Sequence, residues 1–267
     1  MARSAYHKWA SGKLSRRTAE NERLANMIER IHVESPDKGY RRLNDDLRHD
    51  YDVHVNDKRV LRICRARDIR STVQYNNRGC TRQAQNPQYL AENLLDRQFY
   101  ATKPNEKWLT DVTEFKWYEG TKVHKLYLSA ILDLCDRRIV SYMLSERNDN
   151  PLVFKTFDKA VRANPNAHPL FHSDRGFQYT SRTFHHKLMR AGMTQSMSRV
   201  AHCIDNGPME GFWGILKRER YYGKRFTSKH ELAQMIQRYI RYYNTQRVQR
   251  NLGVLTPMEK HAICLAA

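Results

Sequence analysis

The sequence predicts a mixed α/β domain, a sheet with helices packed on it, preceded by a small all-α unit. Three observations carry that expectation. Residues 107–118 are rich in Thr, Val, Phe, Trp and Tyr, and two further strand-like runs follow at short intervals. From residue 149 onward helical and strand-like stretches alternate, which sets helices against a sheet. Upstream of residue 72 there are only short helical patterns separated by turn-forming residues.

The all-α part comes first. Residues 1–32 are a basic N-terminal segment with a helix expected over 19–32, because Leu24, Met27, Ile28 and Ile31 recur at helical spacing. Ser35-Pro36-Asp37-Lys38-Gly39 breaks that helix. Within residues 33–72 a second helix follows Gly39, a turn lies near Asp50-Tyr51-Asp52, and Asn56 can cap a third helix over 57–67. Val60, Leu61, Ile63 and Cys64 supply its buried side; Lys58, Arg59, Arg62, Arg65 and Arg67 supply its exposed side. Three short helices with a basic third suit a helix-turn-helix, whose Arg and Lys hold phosphates and read guanine edges. The plain alternative is a solvated basic helix packed on its neighbours. Residues 73–102 are polar and turn-rich, as an exposed linker is, with a short helical piece expected over 88–97.

The α/β part is expected over 103–223. A first strand, 107–118, carries Asp111 on the same face as Leu109 and Thr113. A nearly continuous apolar run, 125–134, reads as a strand buried on both faces. Asp136-Arg137-Arg138 turns the chain into a third strand, 139–144. Asp149 or Asn150 can cap a helix begun by Pro151, and 169–172 is a fourth strand ending at Asp174. Thr180 or Ser181 caps the next helix, and 194–198 is a fifth strand. Asp205 or Asn206 can cap a helix with Pro208 in its first turn, whose Met209, Phe212, Trp213 and Leu216 face the core. Glu210, Gly214 and Lys217 share another stripe, with room over Gly214; Glu219 falls on the opposite side. Residues 224–267 are a C-terminal helical extension, opened by the capping box Ser228-Lys229-His230-Glu231.

Composition narrows the function. The 267 residues carry a formal charge of +19, with 47 Lys and Arg against 28 Asp and Glu. An excess of that size, spread along the chain, points to a polyanion, most simply nucleic acid. Neither a signal peptide nor an apolar run of spanning length appears, so a soluble intracellular protein with no membrane partner is expected. Five widely spaced cysteines without a CxxC pair argue against a disulfide framework or structural zinc. His202-Cys203, the one place where two ligand types adjoin, reads as loop.

Asp111 in a strand, Asp174 at a strand end and Glu210 on a helix can converge in a mixed sheet; Asp174 and Glu210 are separated by 35 residues. Three gathered carboxylates repel one another unless divalent cations neutralise them, and hard oxygen donors select Mg²⁺ or Mn²⁺. Two such ions would activate the attacking oxygen and stabilise the leaving one in an in-line displacement at phosphorus. Glu114 lies on the opposite strand face and reads as a surface group or one just behind the metal ligands; Asp133 and Asp136 flank a turn and read as structural; His172, a strand-end residue, could sit near the metals but reads as packed. Arg175 is open between a phosphate contact and an acid partner.

Trp108-x-Thr110-Asp111-x-Thr113, His172-Ser173-Asp174-Arg175-Gly176-x-Gln178-Tyr179 and Asp205-Asn206-Gly207-Pro208-Met209-Glu210-x-Phe212 resemble the DDE integrase core. The nearest resemblance is to the OrfB transposase of the bacterial insertion-sequence family three. Tyr243-Asn244-x-x-Arg247 with Leu252-Gly253-x-x-Thr256-Pro257, and upstream Gly39-Tyr40-Arg41-Arg42, extend it over nearly the whole chain. The resemblance implies an RNase H-like core with Asp111, Asp174 and Glu210 as catalytic residues and metal ligands of two Mg²⁺ (or Mn²⁺) ions. It implies cleavage at the element's terminal inverted repeats and strand transfer into target DNA without a covalent protein–DNA intermediate. Lys58, Arg59, Arg62, Arg65, Arg175, Lys217 and Arg247 are the residues expected at double-stranded DNA. Self-association on DNA, an upstream reading-frame product or a fusion with it, and a bacterial cytoplasmic, nucleoid-associated location are further implications. Phe177 and Gly211 depart from the family pattern. A retroviral-type integrase would need a paired His and Cys zinc motif at its N-terminus, which is absent; an inert transposase-derived DNA-binding protein is the alternative of another class.

Overall fold

The computed structural model describes residues 15–73, 88–199 and 203–266, which fall in two compact units, 1–73 and 74–267. His202 lies outside the described residues, as do residues 74–87 of the expected linker.

The first unit is three helices: α1 (Arg16–Glu34), α2 (Tyr40–Tyr51) and α3 (Asp57–Ala66). Ser15 caps α1 by accepting from the Thr18 N–H (3.1 Å), and Asn56 caps α3 by accepting from the Lys58 N–H (2.8 Å). Asp52 ends α2 in the left-handed region (φ 51°), where a short polar side chain is tolerated. Leu24, Ile28, Leu43, Leu47, Val60 and Ile63 form one buried cluster. Leu61, expected on that side, is only half-buried.

In the second unit β1 (Lys107–Glu119), β2 (Lys122–Asp133) and β3 (Ile139–Ser145) form an antiparallel meander, and β4 (Leu170–Ser173) and β5 (Thr194–Met197) extend it in parallel. The order is β3-β2-β1-β4-β5. β2 is buried on both faces from Leu128 onward, as its apolar run requires. Alternation along β1 divides the core. Trp108 and Val112 face α4 (Asn150–Ala163) and α5 (Arg182–Arg190), with Phe157, Phe171, Tyr179 and Phe184. Leu109 and Phe115 face α6 (Gly207–Leu216) and α7 (Lys229–Thr245), with Met209, Phe212, Trp213, Ile236 and Tyr243. A short helix, α8 (Pro257–Ala266), follows. The caps resolve to Asp149 for α4, Ser181 for α5 and Ser228 for α7.

Residues 88–102 depart from the linker expected there, and no helix forms over 88–97. The Met197 N–H donates to the Glu92 carbonyl (3.1 Å), and Ser196 Oγ accepts from the Leu94 and Leu95 N–H groups (3.0 and 3.1 Å). Leu95 and Ala101 are buried in the core. An edge strand with open donors and acceptors claims this backbone, which overrides a weak helical pattern. Cys64, Cys135 and Cys264 are free thiols; Cys135 and Cys264 sit 3.7 Å apart.

Candidate active site

The expected site lies where β4 stops. Parallel pairing with β4 covers only Lys107 to Leu109 of β1, and β1 continues past it. Asp174 directly follows the last residue of β4, and Asp111 lies just beyond the last paired residue of β1. The N-terminus of α6 docks on that exposed stretch. Asn206 Nδ2 donates to the Thr110 carbonyl (3.1 Å), and Trp213 Nε1 donates to Asp111 Oδ2 (2.9 Å). The other Asp111 oxygen accepts from the Val112 N–H (2.7 Å).

Asp174 is held from its own loop: its Oδ1 accepts from the Gly176 N–H (2.9 Å). A Cβ at Gly176 would lie 3.0 Å from that oxygen and 3.3 Å from the Tyr179 ring, so a side chain there would press on both. Tyr179 lies beneath, its hydroxyl 3.2 Å from Thr110 Oγ1. Glu210 is the exposed member of the three.

Burial, then the Asp174 charge and a smaller contribution from Glu210, push the Asp111 carboxyl up to about 8. Burial also raises Asp174 and Glu210 above the usual carboxylate range. Among the described residues no Lys, Arg or His forms an ion pair with any of the three, while other acids nearby do have such pairs. Unneutralised hard-oxygen donors of this kind fit a divalent cation such as Mg²⁺. Among the described residues no three His, Cys, Asp or Glu are gathered into a ready-made cage.

The neighbouring acids are structural. Asp205, fully buried, accepts from Arg97 Nε (2.8 Å), Arg199 Nε and Nη2 (both 3.0 Å) and Asn93 Nδ2 (3.1 Å). The Arg199 hydrogen bond above all holds it well below the usual range. It fastens the loop ahead of α6. Asn206 takes the N-cap position of α6, but its side chain makes no cap hydrogen bond. Asp133 accepts from Trp108 Nε1 and the Asn105 N–H, and Asp136 faces Arg138 and His261. Glu114 pairs with Lys125 (2.9 Å). His172, buried between the Ser196 and Ser198 hydroxyls, is lowered to about 4 by burial and is packed as a neutral ring.

The residues expected at DNA divide. Lys58, Arg62 and Arg65 are exposed on α3 and share one stripe. Arg59 turns back onto α1, donating to Asn21 Oδ1 (2.9 Å) and Glu20 Oε1 (3.0 Å), because α1 carries acids opposite it. Arg67 likewise pairs with Glu22 and Glu29. Arg175 Nε donates to the Ser198 carbonyl (2.8 Å), tying the Asp174 loop to the end of β5. Lys217 Nζ lies 5.2 Å from the centre of the Phe115 ring, and the space over Gly214 is filled by the Arg218 guanidinium. Arg247 is mostly covered and pairs with Glu219 (2.8 Å), to which Tyr239 also donates. Burial of Glu219 demands a cation, and α7 with its following loop supplies one.

Sequence reasoning missed Trp213, read as a core residue only, and the role of Asn206 beyond its cap position. Both flank Glu210 closely in the chain, but nothing in the chain shows that β1 lies opposite them.

Integrase core domain families match residues 101–203 and 191–257, and an HTH-like domain matches residues 19–77. The chain is 39% identical over 226 residues to the putative transposase InsK for insertion sequence element IS150 of Escherichia coli, covering 83% of this chain and 76% of that one. It is 34% identical over 260 residues to a 31 kDa protein of insertion element IS600 of Shigella sonnei, covering 96% and 93%. A looser likeness is to the HTLV-2 integrase catalytic core domain, at 19% identity and a TM-score of 0.44, over 60% of this chain and 97% of that one.

Proposed function

The chain belongs to the insertion-sequence transposases with an integrase core domain, of insertion-sequence family three, and on that premise we propose that it cuts the ends of its element and joins them to target DNA, using Asp111, Asp174 and Glu210. The observation that carries this reading is the set of three acids, without cationic partners among the described residues, around the gap left where β4 ends. Two Mg²⁺ ions, with Mn²⁺ as a substitute, would be held by these carboxylates; when bound they activate the attacking oxygen and stabilise the leaving one.

The chain's own residues do the rest. Trp213 and the Val112 N–H orient the Asp111 carboxylate, and Gly176 orients Asp174. Lys58, Arg62 and Arg65 present a basic stripe to the phosphates of the terminal inverted repeats. Strand transfer then proceeds by direct attack of a DNA 3′ oxygen, with no covalent protein–DNA intermediate. Self-association on DNA, and pairing or fusion with an upstream reading-frame product, would bring the two ends together.

The test is a Mg²⁺-dependent nicking assay on end DNA. Asp174→Asn and Glu210→Gln are each expected to lower cleavage by at least about 10³-fold, the scale of losing several kcal/mol of transition-state stabilisation, while end binding is retained. Cleavage at the wild-type rate by either variant would sink the assignment.

A further inference from the structure

Glu210 does not stand alone on its helix. Asn206, the N-cap of α6, precedes it by four residues, and Trp213 follows it by three within the helix. Both of these flanking residues grip β1, at adjacent positions. Asn206 Nδ2 takes the Thr110 carbonyl and Trp213 Nε1 takes Asp111 Oδ2. The helix acid is thus bracketed by the two contacts that locate the strand acid.

The Asn206 amide is costly where it sits. It stands at the N-cap of α6, where an Asn side chain ordinarily accepts from the first-turn N–H groups, yet it makes no such bond. Its Oδ1 is buried with no partner among the described residues, and the residue is only 5% exposed. An orphaned buried acceptor costs stability, so a role confined to capping does not account for the arrangement. Trp213 is equally specific: an indole N–H can only donate, and its acceptor is a carboxylate in a buried setting. A Phe at 213 would fill the core nearly as well but could not hold Asp111.

We infer that Asn206 and Trp213 are positioning residues, which set Asp111 against Glu210 so that the two acids can share a divalent cation. This rests on the reading of Asp111, Asp174 and Glu210 as cation ligands. Each Asp111 oxygen takes one N–H, Oδ2 from Trp213 and Oδ1 from Val112, which leaves a second lone pair on each for a cation, and tying the Thr110 carbonyl stops β1 from sliding along α6. Geometry of that kind matters most for Mg²⁺, which demands near-ideal octahedral coordination, and least for Ca²⁺, which accepts irregular ligand sets.

The experiment measures cation binding by the full-length chain through the shift in thermal midpoint and in tryptophan fluorescence, with Mg²⁺ and Ca²⁺ titrated separately. Trp213→Phe and Asn206→Ala are compared with the wild type and with Asp174→Asn. Each positioning variant is expected to raise the Mg²⁺ concentration for half-saturation by about tenfold while moving that for Ca²⁺ by less than about threefold. Trp213→Phe should also remove most of the Mg²⁺-induced fluorescence change. If Trp213→Phe folds poorly, Asn206→Ala decides the matter by the same ratio. Equal shifts for both cations, or Mg²⁺ half-saturation within twofold of wild type while Asp174→Asn abolishes binding, would overturn the inference and leave the assigned acids standing. A wild-type response that Asp174→Asn leaves intact would remove the assigned acids, and the inference with them.

Discussion

Two groups of acids lie in the same α/β unit under opposite conditions. Asp136, Asp205 and Glu219 are buried and each faces a guanidinium: Arg138, the Arg97 and Arg199 pair, and Arg247. Asp111, Asp174 and Glu210 stand around the end of β4 with a few N–H donors and no ion pair among the described residues. Asp205 accordingly falls well below the usual carboxylate range, while Asp111 is pushed up to about 8. The fold is able to neutralise buried acids five and nine residues on either side of Glu210 and withholds that at the expected site. A region left electrostatically incomplete in this way is poised for an external cation.

The comparison breaks most visibly at Arg247. Arg247→Ala leaves Glu219 buried without its cation and is expected to lower stability by about 3–5 kcal/mol, read from urea unfolding. End-DNA affinity of the folded fraction should be unchanged. A variant that keeps its stability and loses DNA affinity would restore the surface role suggested by the sequence.

A smaller effect sharpens the other side. In the folded chain Asp111 keeps its proton up to about 8, whereas the unfolded chain releases it near the ordinary 3.8. The folded chain therefore holds more protons between those values, and cation-free stability falls as pH rises through the window. The slope is at most about 1.4 kcal/mol per pH unit. Between pH 6.5 and 8 it is clear of His172, lowered to about 4, and of Asp133, raised to about 6. Thermal melts should show the midpoint dropping over this range without Mg²⁺, a flatter dependence with Mg²⁺, and a flatter dependence in Asp174→Asn, which lacks the repelling charge.

The smallest effect extends the comparison to cations. On α3, Arg59 and Arg67 have acidic partners on α1, while Lys58, Arg62 and Arg65 have no ion pair among the described residues. Alanine at Lys58, Arg62 or Arg65 should each reduce the salt slope of end-DNA binding by up to about 0.9, the release expected for one phosphate contact. Arg59→Ala should leave that slope unchanged. Fluorescence anisotropy across a salt series distinguishes the two sets.

Much of this was legible beforehand because it is local. Strand alternation put Asp111 on the face of Leu109, helix phase separated Glu210 from Glu219, and turn chemistry marked the caps at Asn56 and Ser228. The failures were non-local. A helical pattern over 88–97 yielded to the edge of β5, whose backbone and Ser196 hydroxyl lie about a hundred residues away in the chain. The pairing of Arg247 with Glu219, 28 residues apart, was likewise not readable in the chain.

The chain by itself therefore determined the class of fold and the periodicity of its main elements, since backbone stereochemistry and hydrophobic phase act over a few residues. Only the tertiary structure decided which charges are neutralised and which are left waiting. That depends on distances between segments far apart in sequence, such as Trp213 to Asp111 and Arg247 to Glu219, and the free energy of a buried charge is set by whichever partner the fold brings to it.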